Sequence, residues 1–163
     1  MAAAKELGLS FERAAEGIAQ FTGVGRRFEK RGERNGVLLI DDYAHHPTEI
    51  QATLATAKKL DRNNIYCVFQ PHTYTRTKAL FDDFVKALSC GINIIITDIY
   101  AAREKDTGLV SSRQLADAIE GAVYIKDFED CAKYLCENAR PGDLVMTMGA
   151  GSVFKIGDMF LQL

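Results

Sequence analysis

The stretch "GVLLIDDYAHHPTEIQATL" (residues 36–54) governs how the rest of the 163-residue chain is read. Residues 37–40 are an unbroken apolar run, the pattern of a strand covered on both faces. An acidic pair, Asp41 and Asp42, ends the run, and two adjacent histidines, His45 and His46, stand just before Pro47. Proline suits the first turn of a helix, and Ile50, Leu54, Ala57 and Leu60 then fall on one helical face. Strand, polar loop and helix in that order make the first half of a parallel crossover unit.

Working outward, "RRFEKRGERNGVLLIDD" (26–42) reads as a hairpin, with Asn35-Gly36 supplying the tight turn. Downstream the alternation repeats. "IYCVF" (65–69), "INIIIT" (92–97), "AVYI" (122–125) and "PGDLVMTM" (141–148) read as strands. Between them, "RTKALFDDFVKAL" (76–88) places Leu80, Phe84 and Leu88 on one helical stripe, with Thr75 as a candidate cap. Ser111 and Gln114 form a capping box for "RQLADAIE", and Asp127 caps "FEDCAKYLCENA". The turn Gly149-Ala150-Gly151-Ser152 leads into a last helix, "VFKIGDMFLQL". The expected fold is α/β: an open, doubly wound, mostly parallel sheet from about Arg26 onward, its hairpin adding an antiparallel edge strand. Ahead of it, residues 2–20 read as two short helices broken at "LGLS", with Ser10 capping the second, and Thr22, Gly23 and Gly25 read as a hinge.

Composition narrows the function. A formal net charge of −2 without a basic stripe gives no attraction to nucleic acid. No run approaches the roughly 18 to 20 apolar residues of a membrane span, and the first residues alternate charge and apolarity too often for a signal peptide. Cys67, Cys90, Cys131 and Cys136 form no C-x-x-C pair, so reduced packing thiols in a cytosolic protein are expected.

Ligands of open α/β sheets bind beyond the carboxyl ends of the strands. There the chain places Asp41, Asp42, Tyr43, His45 and His46; then Gln70, His72, Tyr74 and Arg76; then Asp98, Tyr100 and Arg103; and last Gly149, Gly151 and Ser152. All three histidines of the chain belong to this edge. A metal site is not expected, since adjacent histidines in an extended segment point apart and no cysteine lies near. The acidic pair suits either turn chemistry or a carboxylate that holds ribose hydroxyls or a cation. His72 with Arg76 offers donors to an anion such as a carboxylate or phosphate. The "GAGS" turn is not the dinucleotide fingerprint, because Phe154 stands where the last glycine is required, yet amides at a helix start suit an anion. No G-x-x-x-x-G-K-[ST] loop exists, so the chain is not a self-sufficient P-loop ATPase. Asp41, Asp42 and Asp98 sketch a receiver-like phosphoacceptor domain, but the lysine such domains carry after the last strand is replaced by Gly149-Ala150-Gly151.

"FTGVGRRFE", "LIDDYAHHPTEI", "FQPHTYTRT" and "DLVMTMGAGS", in this order and spacing, resemble the C-terminal part of the Mur ligases over essentially the whole chain. The double histidine points to the branch that joins L-alanine to UDP-N-acetylmuramate. The resemblance implies a Rossmann-like C-terminal domain over residues 23–163, preceded by the end of a central ATPase domain and hinge (1–22). It also implies a cytoplasmic, ATP-dependent ligase of peptidoglycan precursor synthesis, which phosphorylates a carboxylate and lets an amino group attack the acyl phosphate. The implied partners are UDP-N-acetylmuramate, L-alanine, ATP and the enzyme's own N-terminal and central domains, with magnesium held mainly by the central domain. Arg27 would face the ATP phosphates, Asp42 the ribose and Tyr43 the nucleotide. His45, His72 and Arg76 would line the cleft near the reacting groups, with Gly149, Gly151 and Ser152 as a candidate anion turn. Relatives often carry Arg at Thr73 and Asp at Ser152. The resemblance further implies that these residues alone are inactive. Other readings are a ligase recycling murein tripeptide, which carries Phe at Tyr43, and a non-catalytic nucleotide-binding module.

Overall fold

A computed structural model describes residues 2–20 and 23–163, so Thr22 of the expected hinge lies outside the described residues. The hairpin forms as expected: β1 (Glu29–Arg34) and β2 (Val37–Asp42) pair antiparallel around Asn35 and Gly36, whose φ values of 49° and 75° are those of a type I′ turn. Helix α3 (Pro47–Ala57) follows, then β3 (Ile65–Phe69), α4 (Tyr74–Ala79), α5 (Phe81–Leu88), β4 (Asn93–Ile96), α6 (Ser112–Asp117), β5 (Val123–Tyr124), α7 (Phe128–Asn138), β6 (Leu144–Met148) and α8 (Phe154–Gln162). Ahead of the hairpin lie α1 (Ala2–Glu6) and α2 (Phe11–Ala19), the latter capped by Ser10, whose side chain accepts from the Arg13 amide at 3.3 Å.

The six strands run in the order β1-β2-β6-β3-β4-β5, and every pairing except β1–β2 is parallel. Alternate residues of each central strand feed two apolar layers, as the period of two demands. Leu38, Ile40, Cys67, Phe69, Leu144 and Met146 join Ile50 and Leu54 of α3 and Phe84 and Leu88 of α5 on one face. Val37, Leu39, Val68 and Val145 join Leu135 of α7 and Ile156 and Phe160 of α8 on the other. The sheet is therefore doubly wound, and β6 returns to the middle, between β2 and β3.

Three local expectations need correction. Residues 74–88 form two helices, with Leu80 (φ −112°, ψ 23°) ending α4 and starting α5. The break lets α5 seat Phe84 against Phe69, ring centroids 5.6 Å apart, while α4 stays tied to the turn at Thr73. Thr75 is not the cap of α4. It lies inside the helix, and Thr73 holds the N-cap position without a side-chain bond. Asp127 likewise occupies the N-cap of α7 without a side-chain hydrogen bond. The Ser111–Gln114 capping box forms in full.

Candidate active site at the carboxyl edge

Helix α3 leaves β2 toward one face of the sheet, while α8 leaves neighbouring β6 toward the other. Loops after such strands part and open a crevice at their carboxyl ends. The loops after β2, β6 and β3 meet there.

Arg26 staples two of these loops together. Its Nε donates to Asp41 Oδ2 at 2.7 Å, and its two terminal nitrogens donate to the carbonyls of Gly149 (2.7 Å) and Gly151 (3.1 Å). The guanidinium packs over Tyr43 and Phe154, 5.0 and 4.8 Å from their ring centroids. Asp41 is fully buried and also accepts from Thr147 Oγ1 at 2.6 Å. Asp42, 5% exposed, accepts from the amides of Phe28 (2.7 Å) and Ala44 (2.8 Å) and from Thr53 Oγ1 (3.3 Å). Both carboxylates of the acidic pair thus hold the protein's own loops. Among the described residues no three His, Cys, Asp or Glu side chains gather as a metal site. Tyr43 is 36% exposed, and the exposed Arg27 lies 5.7 Å from its centroid.

Two of the three imidazoles converge, with His45 and His72 centroids 5.9 Å apart. His46 turns away, and its Nδ1 accepts from the Thr48 amide to cap α3. His45 Nδ1 lies 3.0 Å from the Tyr43 carbonyl and 3.4 Å from Glu49 Oε2. A carbonyl only accepts, so Nδ1 carries the proton and Nε2 is left free. Glu49 also accepts from the amides of His45 and His46 at 3.0 and 3.2 Å. Burial pulls its carboxyl upward, but those two donors, the His45 imidazole and Arg27 outweigh it, and the group titrates below the ordinary glutamate value. His72 has the opposite polarity. Its Nδ1 faces Arg76 at 3.4 Å, and arginine only donates, so the neutral ring carries its proton on Nε2. Burial, then Arg76, then His45 push His72 below the ordinary histidine value, against an opposing pull from Glu104.

Between His72 and α4, Thr73 has φ 66° and ψ 144°, a conformation that costs a β-branched residue roughly 1–3 kcal/mol. Its amide donates to the Tyr100 carbonyl at 2.9 Å, and the Tyr100 amide donates to the Pro71 carbonyl at 2.8 Å. Glu104 accepts from the Thr75 amide at 2.9 Å and from the Thr75 hydroxyl, which hold its carboxyl below the ordinary value. Gly149 (φ 145°) and Gly151 are required by close approach. A Cβ on Gly149 would lie 2.8 Å from the Gln70 carbonyl, and one on Gly151 would strike Gln70 Oε1 and lie 2.7 Å from Tyr100 Cγ. Gln70 Oε1 is buried without a hydrogen-bond partner among the described residues.

Of the predicted residues, Tyr43, His45, His72 and Arg76 follow one another in contact, and Gly149 and Gly151 are bound by the Arg26 staple. Asp98 does not join them. It accepts from the Tyr124 hydroxyl, whose titration burial and that bond raise to about 12. The receiver-like arrangement of three acids is therefore absent among the described residues. Sequence reasoning passed over Arg26, Glu49 and Glu104. Glu49 carried a signal, standing four residues after His45 and three after the helix cap; adjacent arginines at 26 and 27 carried none that tells them apart.

The UDP-N-acetylmuramate–L-alanine ligase of Acetivibrio thermocellus is 52% identical over 99% of this chain, which spans 35% of that protein's length. Among solved structures, the UDP-N-acetylmuramate–alanine ligase of Thermotoga maritima superposes with a TM-score of 0.75 at 25% identity, over 99% of this chain and 35% of its own. A murein peptide ligase from Psychrobacter arcticus superposes with a TM-score of 0.72 at 26% identity, covering 99% of this chain and 34% of its own. The two structures are alike in score, so backbone shape does not separate their activities. Residues 26–151 match the Mur ligase, glutamate ligase domain, and with the doubly wound sheet and crevice in place the chain belongs to the Mur ligase family.

Proposed function

We propose that this chain is the C-terminal domain of an ATP-dependent ligase that joins L-alanine to UDP-N-acetylmuramate in the cytoplasm. The observation that carries the reading is the convergence of His45, His72 and Arg76 beside the Arg26-stapled turn at the switch point of the sheet. The names of relatives at 52% identity favour it over tripeptide recycling, as does Tyr43, where the resemblance implies Phe for the recycling ligase.

In this reading the substrate carboxylate takes the terminal phosphoryl group of ATP and ADP leaves. The amine of alanine then attacks the acyl carbon and phosphate leaves. Tyr43 offers an exposed ring to the nucleotide, and Arg27 an exposed cation beside it. Asp42 is read as the ribose partner, its carboxylate meanwhile accepting from the amides of Phe28 and Ala44 and from Thr53. His72 Nε2 and the Arg76 guanidinium donate to the charge that grows on the acyl oxygens. His45, with a free Nε2 and a carboxylate behind Nδ1, suits the proton that the amine sheds. In the candidate anion turn of Gly149, Gly151 and Ser152, the Gly149 amide already donates to the Asp42 carbonyl at 3.0 Å, so an anion would fall to the amides of Gly151 and Ser152.

Residues 1–22 are read as the end of a central ATPase domain. No residue of α1 or α2 is buried, and Leu7, Phe11 and Ile18 present apolar surface that nothing among the described residues covers. The test is phosphate release by the full-length protein that carries this sequence. Release that needs UDP-N-acetylmuramate and L-alanine together supports the reading. Release driven by a murein tripeptide instead would move the protein to the recycling branch. The 163 residues alone should release none.

A further inference from the structure

We propose that the connection between β4 and α6 is a clamp in which Tyr100 and Glu104 act as positioning residues for the His72–Arg76 pair. The inference rests on the ligase reading for its catalytic meaning. Its geometry stands on four contacts, each to a residue that holds or borders site chemistry.

The Tyr100 ring stacks on the His72 ring, centroids 5.5 Å apart and planes within 27°. The Tyr100 backbone brackets the same histidine, donating to Pro71 before it and accepting from Thr73 after it, so His72 and Tyr100 form a single parallel bridge beyond the regular ladder. The near end of the Tyr100 side chain sits against Gly151, where no side chain fits. Four residues on, Glu104 grips the first turn of α4 through the amide and hydroxyl of Thr75, and α4 carries Arg76. The left-handed Thr73 backbone is thereby held from both sides. Strain of that kind persists only where the surroundings over-determine it. Tyr100 remains 39% exposed, so its ring serves the crevice and not the core.

A clamp of this kind must move His72 chemistry when it is broken. The groups facing His72 are Arg76 from α4, His45 from the loop after β2, and Glu104 and Tyr100 from the clamp itself. In this chain, His72 is followed by imidazole NMR titration in the wild type, Tyr100→Phe, Tyr100→Leu and Tyr100→Ala. Phe keeps the flat face and should leave the titration in place. Leu and Ala should let water reach the ring and shift the titration upward, toward the ordinary histidine value. In the full-length ligase, Tyr100→Leu should lower kcat/KM for L-alanine about 10- to 100-fold, the scale of a misplaced catalytic group, and Tyr100→Phe should restore it. An unmoved His72 titration in both Leu and Ala variants overturns the clamp, whatever the kinetics. A shifted titration in a full-length protein that never consumes L-alanine keeps the clamp and overturns the ligase reading instead.

Discussion

Buried carboxylates lie at both ends of this sheet, and the two ends treat them differently. At the amino end, Asp143 accepts from the Asn64 amide and side chain, both at 3.0 Å, and from the Arg140 amide at 2.8 Å. Its partners are neighbouring turns, and the surrounding backbone is paired in the same local way, Gly142 to Gly36 and Asn63 to Gly142. At the carboxyl end, Asp41 and Asp42 do similar work, but what surrounds them is left unfinished. Gln70 Oε1 lacks a partner among the described residues, Thr73 is strained, and the rings of His45, His72, Tyr43 and Tyr100 pack against one another. Buried acids alone therefore do not mark a site. The mark is unsatisfied or strained groups gathered around them.

The sharpest way to break that comparison is Arg26→Ala, which strands buried Asp41 without its cation. Urea unfolding should register a loss of about 3–5 kcal/mol, the scale for a broken buried pair. Arg27→Ala, one residue along and exposed, should change stability by less than about 0.5 kcal/mol. Its effect should appear instead as a KM for ATP raised about tenfold in the full-length enzyme, the weight of one charge-assisted contact. Equal stability losses in both variants would erase the distinction between staple and contact. At the amino end, Asp143→Ala should cost about 2–3 kcal/mol by orphaning buried donors, and the turnover of the folded fraction should stay at the wild-type value. A fall in kcat there would mean the two ends are not independent.

Gly151→Ala probes the unfinished end more gently. The new methyl meets Gln70 and Tyr100, so stability should fall by about 1–3 kcal/mol, and Tyr100 should be displaced, seen as a change in His72 ring shifts. The smallest effect is the pH dependence of His72. Its folded-state value lies below its unfolded one, so the unfolded chain takes the proton first. Stability is full above the ordinary histidine value, about 6.5, and declines as pH falls toward the folded-state value. His72→Asn should flatten that part of the stability–pH curve measured by thermal unfolding. An unchanged slope would remove His72 as its source.

Much of the fold was legible because its signals are local. The apolar runs of β2, β3, β4 and β6, the Asn35-Gly36 turn, Pro47 at the start of α3 and the Ser111–Gln114 box each act within a few residues of chain. The edge on which the site lies followed from the same pattern, since the order of strands and helices dictates which loops share an end of the sheet. The single helix expected over 76–88 failed because periodicity reports which residues face the core and not where a helix must bend to let them reach it. Arg26 and Arg27 could not be told apart for a related reason. The partners that separate them, Gly149 and Gly151, are more than a hundred residues away in the chain.

By itself, then, the sequence determined the elements, the doubly wound class and the edge at which its histidines would gather, because hydrophobic period and turn chemistry operate at short range. Tertiary structure alone decided which arginine staples the crevice, which nitrogen of each histidine carries the proton, and that Tyr100 and Glu104 hold a strained Thr73 in place. Those outcomes depend on distances between groups that meet only once the sheet has brought its loops to a common edge.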